Sequence, residues 1–267
     1  MGFMYSYDRI VVSIRRNREY SLSNSKAVAD ESKVRYGHNM NNYANLIAPI
    51  TANVKLGKKV ATNYRPVGNS AMGLGTCPSG CKLLDASTGL ASQCYTKKFH
   101  TNLQQNNSRQ RSDSMDRFLL KGAELIRLHT TGDFFKPNAD ATKGYSLDLD
   151  YWTDVLQFAI DNPQVTIYTY THDIQELVDN GIHGNNLPAN FKIVASCDTP
   201  VQSYVAKSHG FKTARVIDTP DDLESGEVFC PYDKATYNGV SHSKHGVTCE
   251  KCKLCFTGKH NIAFLRH

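Results

Sequence analysis

Between Lys59 and Ile217 short apolar runs alternate with amphipathic stretches, and no other property of the 267-residue chain narrows its fold so far. The pattern predicts strands at Lys59 to Val67, Leu125 to Thr130, Val165 to Thr171, Phe191 to Ser196 and Thr213 to Ile217. Helices are expected at Asn106 to Gly122, Asp150 to Ile160, Asp173 to Asp179 and Pro200 to Ser208, closed by Asn162-Pro163, Gly181 and Gly210. Such alternation is the signature of βαβ units around a parallel sheet. An open doubly wound sheet and a partial (β/α) barrel both satisfy it, and in both, function gathers at the C-terminal ends of the strands. The polar residues lie there: Thr130-Thr131-Gly132-Asp133, Thr169 to Asp173, Ser196-Cys197-Asp198, and Asp218.

The flanks read differently. Residues 1–53 form a polar N-terminal extension with one candidate strand at Asp8 to Ile14, residues 54–218 carry the α/β domain, and residues 219–267 form a loop-rich, cysteine-rich module. Hydrophobic residues make up 40% of the chain, enough for one substantial core.

Eight cysteines fall into two groups, with Cys197 alone between them. The last group reads C-P-x17-C-x-x-C-x-x-C: Cys230, Cys249, Cys252 and Cys255. Three cysteines on one short arc plus a remote cysteine followed by proline are the ingredients of a ferredoxin-type cluster, whereas a single zinc usually draws on two separated knuckles. A [4Fe-4S] cluster is therefore the leading expectation, with structural zinc as the alternative. His242, His245 and His260 could replace a cysteine. The first group, Cys77, Cys81 and Cys94, supplies three thiolates on a glycine-rich loop after a strand. Three ligands leave a fourth metal position open, or filled by Cys197, His100 or His129.

His129 and Asp133, four apart on a strand and its exit loop, form a candidate acid/base pair, although a strand-end Asp often caps a loop. Tyr168 and Tyr170 share one face of their strand, as packing or as a stacking surface. No P-loop, dinucleotide fingerprint, nucleophile elbow or zinc-protease motif occurs.

Charge is uneven. Residues 1–120 hold 17 Lys/Arg against 7 Asp/Glu, and the rest hold 14 against 18. The basic half could meet nucleic acid or a host protein, or could simply be a solvated surface near an anionic cofactor. The N-terminal apolar run, Ile10 to Ile14, is far too short for a secretory or membrane segment, so a cytoplasmic protein without membrane contact is expected. In a reducing compartment, tight cysteine spacing favours metal over disulfides.

Together, Thr76-Cys77-Pro78-Ser79-Gly80-Cys81, Cys94-Tyr95, Arg127 to Phe134, Tyr168 to Thr171 and the cysteine-rich end resemble bacteriophage proteins of the gene-product-88 type. These are similar to the radical S-adenosylmethionine superfamily. The resemblance covers Val54 to the C-terminus. It implies a partial (β/α) barrel of radical-SAM type, a cluster on Cys77, Cys81 and Cys94, and S-adenosylmethionine bound near Gly132 and Asp133. It likewise implies a second cluster in the cysteine-rich module and, for a phage protein, residence in the host cytoplasm. The chain departs from that superfamily's C-x3-C-x2-C loop, since twelve residues separate Cys81 from Cys94. The functional expectation is an iron-sulfur protein with up to two [4Fe-4S] clusters, enzymatic if S-adenosylmethionine binds. Its alternatives are a non-enzymatic electron-transfer or binding protein and a structural zinc protein.

Overall fold

The computed structural model describes residues 60–65, 123–138, 144–232, 236–241, 246–257 and 259–266. Residues 1–59 and 66–122 lie outside it, and with them the N-terminal extension, the expected helix at 106–122, and Cys77, Cys81 and Cys94.

Seven strands form one sheet: β1 (Val60–Tyr64), β2 (Leu125–Thr131), β5 (Thr166–Thr171), β6 (Phe191–Cys197), β7 (Lys212–Ile217), β8 (Glu227–Phe229) and β11 (Asn261–Leu265). Their order across the sheet is β1-β2-β5-β6-β7-β11-β8, and every neighbouring pair is parallel. Among the described residues the sheet is open, with β1 and β8 as its edges and no barrel closure. Two antiparallel pairs stand apart: β3 (Phe135–Pro137) with β4 (Tyr145–Leu147), and β9 (Thr236–Tyr237) with β10 (Val240–Ser241).

The helices follow local signals closely. Helix α1 (Leu149–Asp161) starts where the Asp148 carboxylate accepts the Tyr151 amide, and it ends at Asn162, before Pro163. Asp173 caps α2 (Ile174–Asp179) in the same way. In α3 (Pro200–Ser208), Thr199 and Gln202 form a reciprocal capping box, with Pro200 in the first turn, where its missing N–H costs nothing.

Period-two alternation gives the sheet two buried faces. On one, Ile126, Leu128, Ile167, Ile193 and Ala195 pack against Trp152, Val155, Phe158 and Ala159 of α1, with Leu177 of α2 and Ala206 of α3. On the other, Val60, Leu125, Tyr168, Val194, Ala214 and Ile262 meet the cysteine-bearing segment rather than a long helix. That segment forms the short helices α4 (Cys249–Cys252) and α5 (Leu254–Thr257).

The C-terminal segment does more than the loop-rich module expected of it. It contributes β8 and then β11, and β11 inserts between β7 and β8. Ile262 to Leu265 pair with Ala214 to Ile217 on one side, and Asn261 to Ala263 pair with Glu227 to Phe229 on the other. Across this insertion the Arg215 guanidinium makes a bidentate, fully buried pair with Glu227, at 2.8 Å for both bonds. Among the described residues no helix is long and apolar enough to cross a membrane.

Candidate functional site: a thiol pocket beneath a strand-end cavity

Parallel pairing puts the exits of all seven strands on one edge. The β1–β2 register shifts between Thr62 and Tyr64, so that Thr62 faces Arg127 but Tyr64 faces Thr131. Pairing of β2 with β5 stops at Arg127 and Tyr168, and beyond that point the two strands part. Within this irregular stretch His129 adopts φ 55°, a left-handed conformation uncommon outside glycine. The reversal breaks strand alternation, and the ring joins the helix-covered layer, edge-on to Phe134 at 4.3 Å. Its Nε2 lies 2.9 Å from the Tyr151 hydroxyl and its Nδ1 lies 2.8 Å from the Thr169 hydroxyl. Burial, reinforced by Arg65 and Arg127, holds its pKa well below the usual histidine range. His129 is thus a neutral ring with both nitrogens engaged.

Gly132, at φ 79°, then turns the chain so that Asp133 points back beneath it. The carboxylate accepts the Phe134 amide at 2.8 Å and the His172 amide at 3.1 Å. Burial pushes its pKa up to about 7 against those hydrogen bonds and the nearby Arg65. Arg65 ties the corner together: its guanidinium donates to the Asp133 carbonyl, pairs with Asp148 at 2.6 Å and covers the Tyr151 ring at 3.8 Å. The sequence offered no sign of this Arg65–Asp148–Tyr151 support, because its members lie up to 86 positions apart.

His129, Gly132 and Asp133 line a cavity of about 280 Å³. Its opposite wall is made by His172, Asp198, Arg215 and Val216, and its floor by Arg127, Tyr168, Tyr170, Cys230, Cys249 and Cys255. The structure therefore brings the predicted strand-end residues and three of the C-terminal cysteines into one hollow. Cys197 also lines it, but this thiol is 4% exposed, and burial pushes its pKa up to about 12, the profile of an inert core cysteine.

Beneath the cavity all four C-terminal cysteines line a single, small and almost wholly apolar pocket with Tyr168, Leu254, Phe256 and Ile262. The local backbone explains how. Residues three apart on one helix drift round its axis by about 60°, so three cysteines at that spacing on a continuous helix would diverge. Instead Thr248 caps α4, Lys253 takes φ 61° and donates its amide to the Cys249 carbonyl, and α5 sets off in a new direction. The break returns Cys255 to the pocket. Cys230 arrives from the end of β8, held by its amide bond to the Ala263 carbonyl at 2.9 Å.

Tyr170 donates its hydroxyl to Cys255 Sγ at 2.9 Å. Tyr168 packs on Phe256 with ring centroids 5.2 Å apart. Its buried hydroxyl is directed at Cys249, in a contact that falls short of full hydrogen-bond geometry. Burial pushes the Cys255 thiol up to about 12; the other three cysteines add to the shift and the Tyr170 bond opposes it. Among the described residues no three His, Cys, Asp or Glu side chains converge as a single ion requires.

Fold and site define an α/β protein built on an open parallel sheet, with a cavity of mixed polar and apolar lining at its strand ends and a four-cysteine pocket against one face. The chain belongs to the Gene product 88 family, which matches residues 23–258. No curated protein and no solved structure was found to match it.

Proposed function

We propose that this is an iron-sulfur protein whose Cys230, Cys249, Cys252 and Cys255 hold a [4Fe-4S] cluster against β5. The observation that carries the reading is the shared pocket: four cysteines from two separate segments line one apolar hollow, which Tyr168 also lines. Burial keeps such thiols protonated until a bound metal group supplies the positive charge that stabilises their thiolates. A single zinc draws its sulfurs to about 2.3 Å from one centre and usually takes them from two separated knuckles. A cluster spreads its ligands over several metal atoms, so the donor set fits it better.

When bound, such a cluster supplies one-electron transfer. The chain's own groups do the rest. The apolar lining excludes water, Arg127 places a positive charge beside Tyr170, and the Tyr170 hydroxyl donates to a ligand sulfur. Iron and acid-labile sulfide in the anaerobically prepared protein test the reading; zinc without either sinks it.

A finer reading makes the protein an enzyme similar to the radical S-adenosylmethionine superfamily, with a second cluster on Cys77, Cys81 and Cys94. What supports it is topology. Strand β1 runs parallel to β2 and so ends at the strand-exit edge, and Cys77, Cys81 and Cys94 follow it in the sequence. An open sheet of parallel strands is compatible with that superfamily's partial barrel, and Gly132 and Asp133 line the cavity, where an ammonium group would find a carboxylate. Under strong reduction with S-adenosylmethionine this reading expects methionine and 5′-deoxyadenosine. Neither binding nor cleavage leaves an electron-transfer or binding role, to which the basic N-terminal half could contribute.

A further inference from the structure

We infer that Tyr170 and Tyr168 are positioning residues that set the reduction potential of the metal group on the C-terminal cysteines. The inference rests on the iron-sulfur reading above and deepens it. Both residues lie on β5 two positions apart, so alternation turns both rings toward the cysteine-bearing segment. Among the described side chains of the sheet they are the two phenols that enter this layer beside the thiols, and they differ in state. The Tyr170 hydroxyl already donates to Cys255 Sγ at 2.9 Å. The Tyr168 hydroxyl, on a side chain 1% exposed, is directed at Cys249 in a looser contact that falls short of full hydrogen-bond geometry. A ligand sulfur is the acceptor this buried donor needs.

The effect on potential follows from charge. An added electron increases the negative charge on the sulfurs, and a donor aimed at them stabilises the reduced level more than the oxidised one. Removing the donor therefore lowers the potential. The Arg127 guanidinium lies 5.4 Å from the Tyr170 ring centroid and holds the ring beside the thiols. Tyr170 also lines the strand-end cavity, so the same side chain joins the thiol pocket to the hollow that adjoins it.

The test is redox potentiometry followed by EPR on the wild type, Tyr170→Phe, Tyr168→Phe and Tyr204→Phe. Phenylalanine keeps the ring and deletes only the hydroxyl. Tyr170→Phe should shift the reduction equilibrium about tenfold toward the oxidised form, a fall of about 59 mV for a one-electron couple. Tyr168→Phe should move it in the same direction. Tyr204 is 74% exposed on α3, and its variant should match the wild type. Wild-type protein exchanged into D2O should also show an exchangeable deuteron coupled to the reduced cluster, and this decides the matter even if Tyr170→Phe assembles poorly. An unmoved potential in Tyr170→Phe, or no coupled deuteron in the wild type, overturns the inference and leaves the iron-sulfur reading standing. Wild-type protein without iron or sulfide overturns both.

Discussion

Asp133 is the residue at which the strand-end cavity and the stability of the chain meet. Its carboxyl is buried, accepts two backbone amides and has a pKa of about 7. Below about pH 4 it is protonated in folded and unfolded chains alike and contributes no pH dependence. Between about 4 and 7 the unfolded chain has released the proton while the folded chain still holds it, so stability falls as pH rises. The loss is complete above about pH 7 and is on the order of 4 kcal/mol by linkage. Asp133→Asn forfeits one backbone acceptor, so its absolute stability is no guide. Its slope is: denaturant midpoints across pH 4 to 8 should lose this declining component, and an unchanged slope would refute the burial assigned to the carboxyl. That His129 and Asp133 both fall at the exit of β2 was legible from the apolar run that precedes them. The left-handed turn at His129 was not, because nothing in a histidine advertises a positive φ. The C-terminal cysteines were legible as a set because thiol spacing constrains what they can bind; their phenolic partners were visible only as two tyrosines on one strand face.

Among the elements, β11 has the largest consequence for the site. Lodged between β7 and β8, it closes the chain segment that carries Cys249, Cys252 and Cys255 into a crossover anchored in the sheet at both ends. The Arg215–Glu227 pair fastens the strands on either side of it. Breaking such a pair typically costs about 3–5 kcal/mol, and toward the lower end here, because Arg215 keeps Glu224 at 3.4 Å and the Asp222 carbonyl at 2.8 Å. Glu227→Gln should lower stability by that order in urea unfolding and weaken metal retention with it. A loss below about 1 kcal/mol would mean that the guanidinium escapes to water and does not fasten the strands. The helices over one face were readable almost to the residue, since Asp148, Asp173 and Thr199 are strong caps and Pro163 and Gly210 strong stops. β11 was hidden because a run of four apolar residues, Ile262 to Leu265, lacks the alternation that marks a half-exposed strand. Burial on both faces erases the period-two pattern.

At the scale of the whole molecule the sheet separates two kinds of surface. Helices seal one face, and the cysteine-bearing segment seals the other, so the cavity at the strand ends adjoins the thiol pocket and shares Tyr168, Cys230, Cys249 and Cys255 with it. A metal group in the pocket would lie within one side chain of anything bound in the cavity. This arrangement was beyond the sequence, since Cys230 and Cys249 to Cys255 carry no sign of which sheet face they will cover. The central claim is that these four cysteines bind one iron-sulfur cluster. It is tested most directly by iron and sulfide analysis with EPR on anaerobically purified wild type and Cys252→Ala. The account predicts iron and sulfide near equal stoichiometry in the wild type, with the signal of one cluster missing from Cys252→Ala. Zinc in place of iron, or identical iron content and spectra in the two proteins, would contradict it.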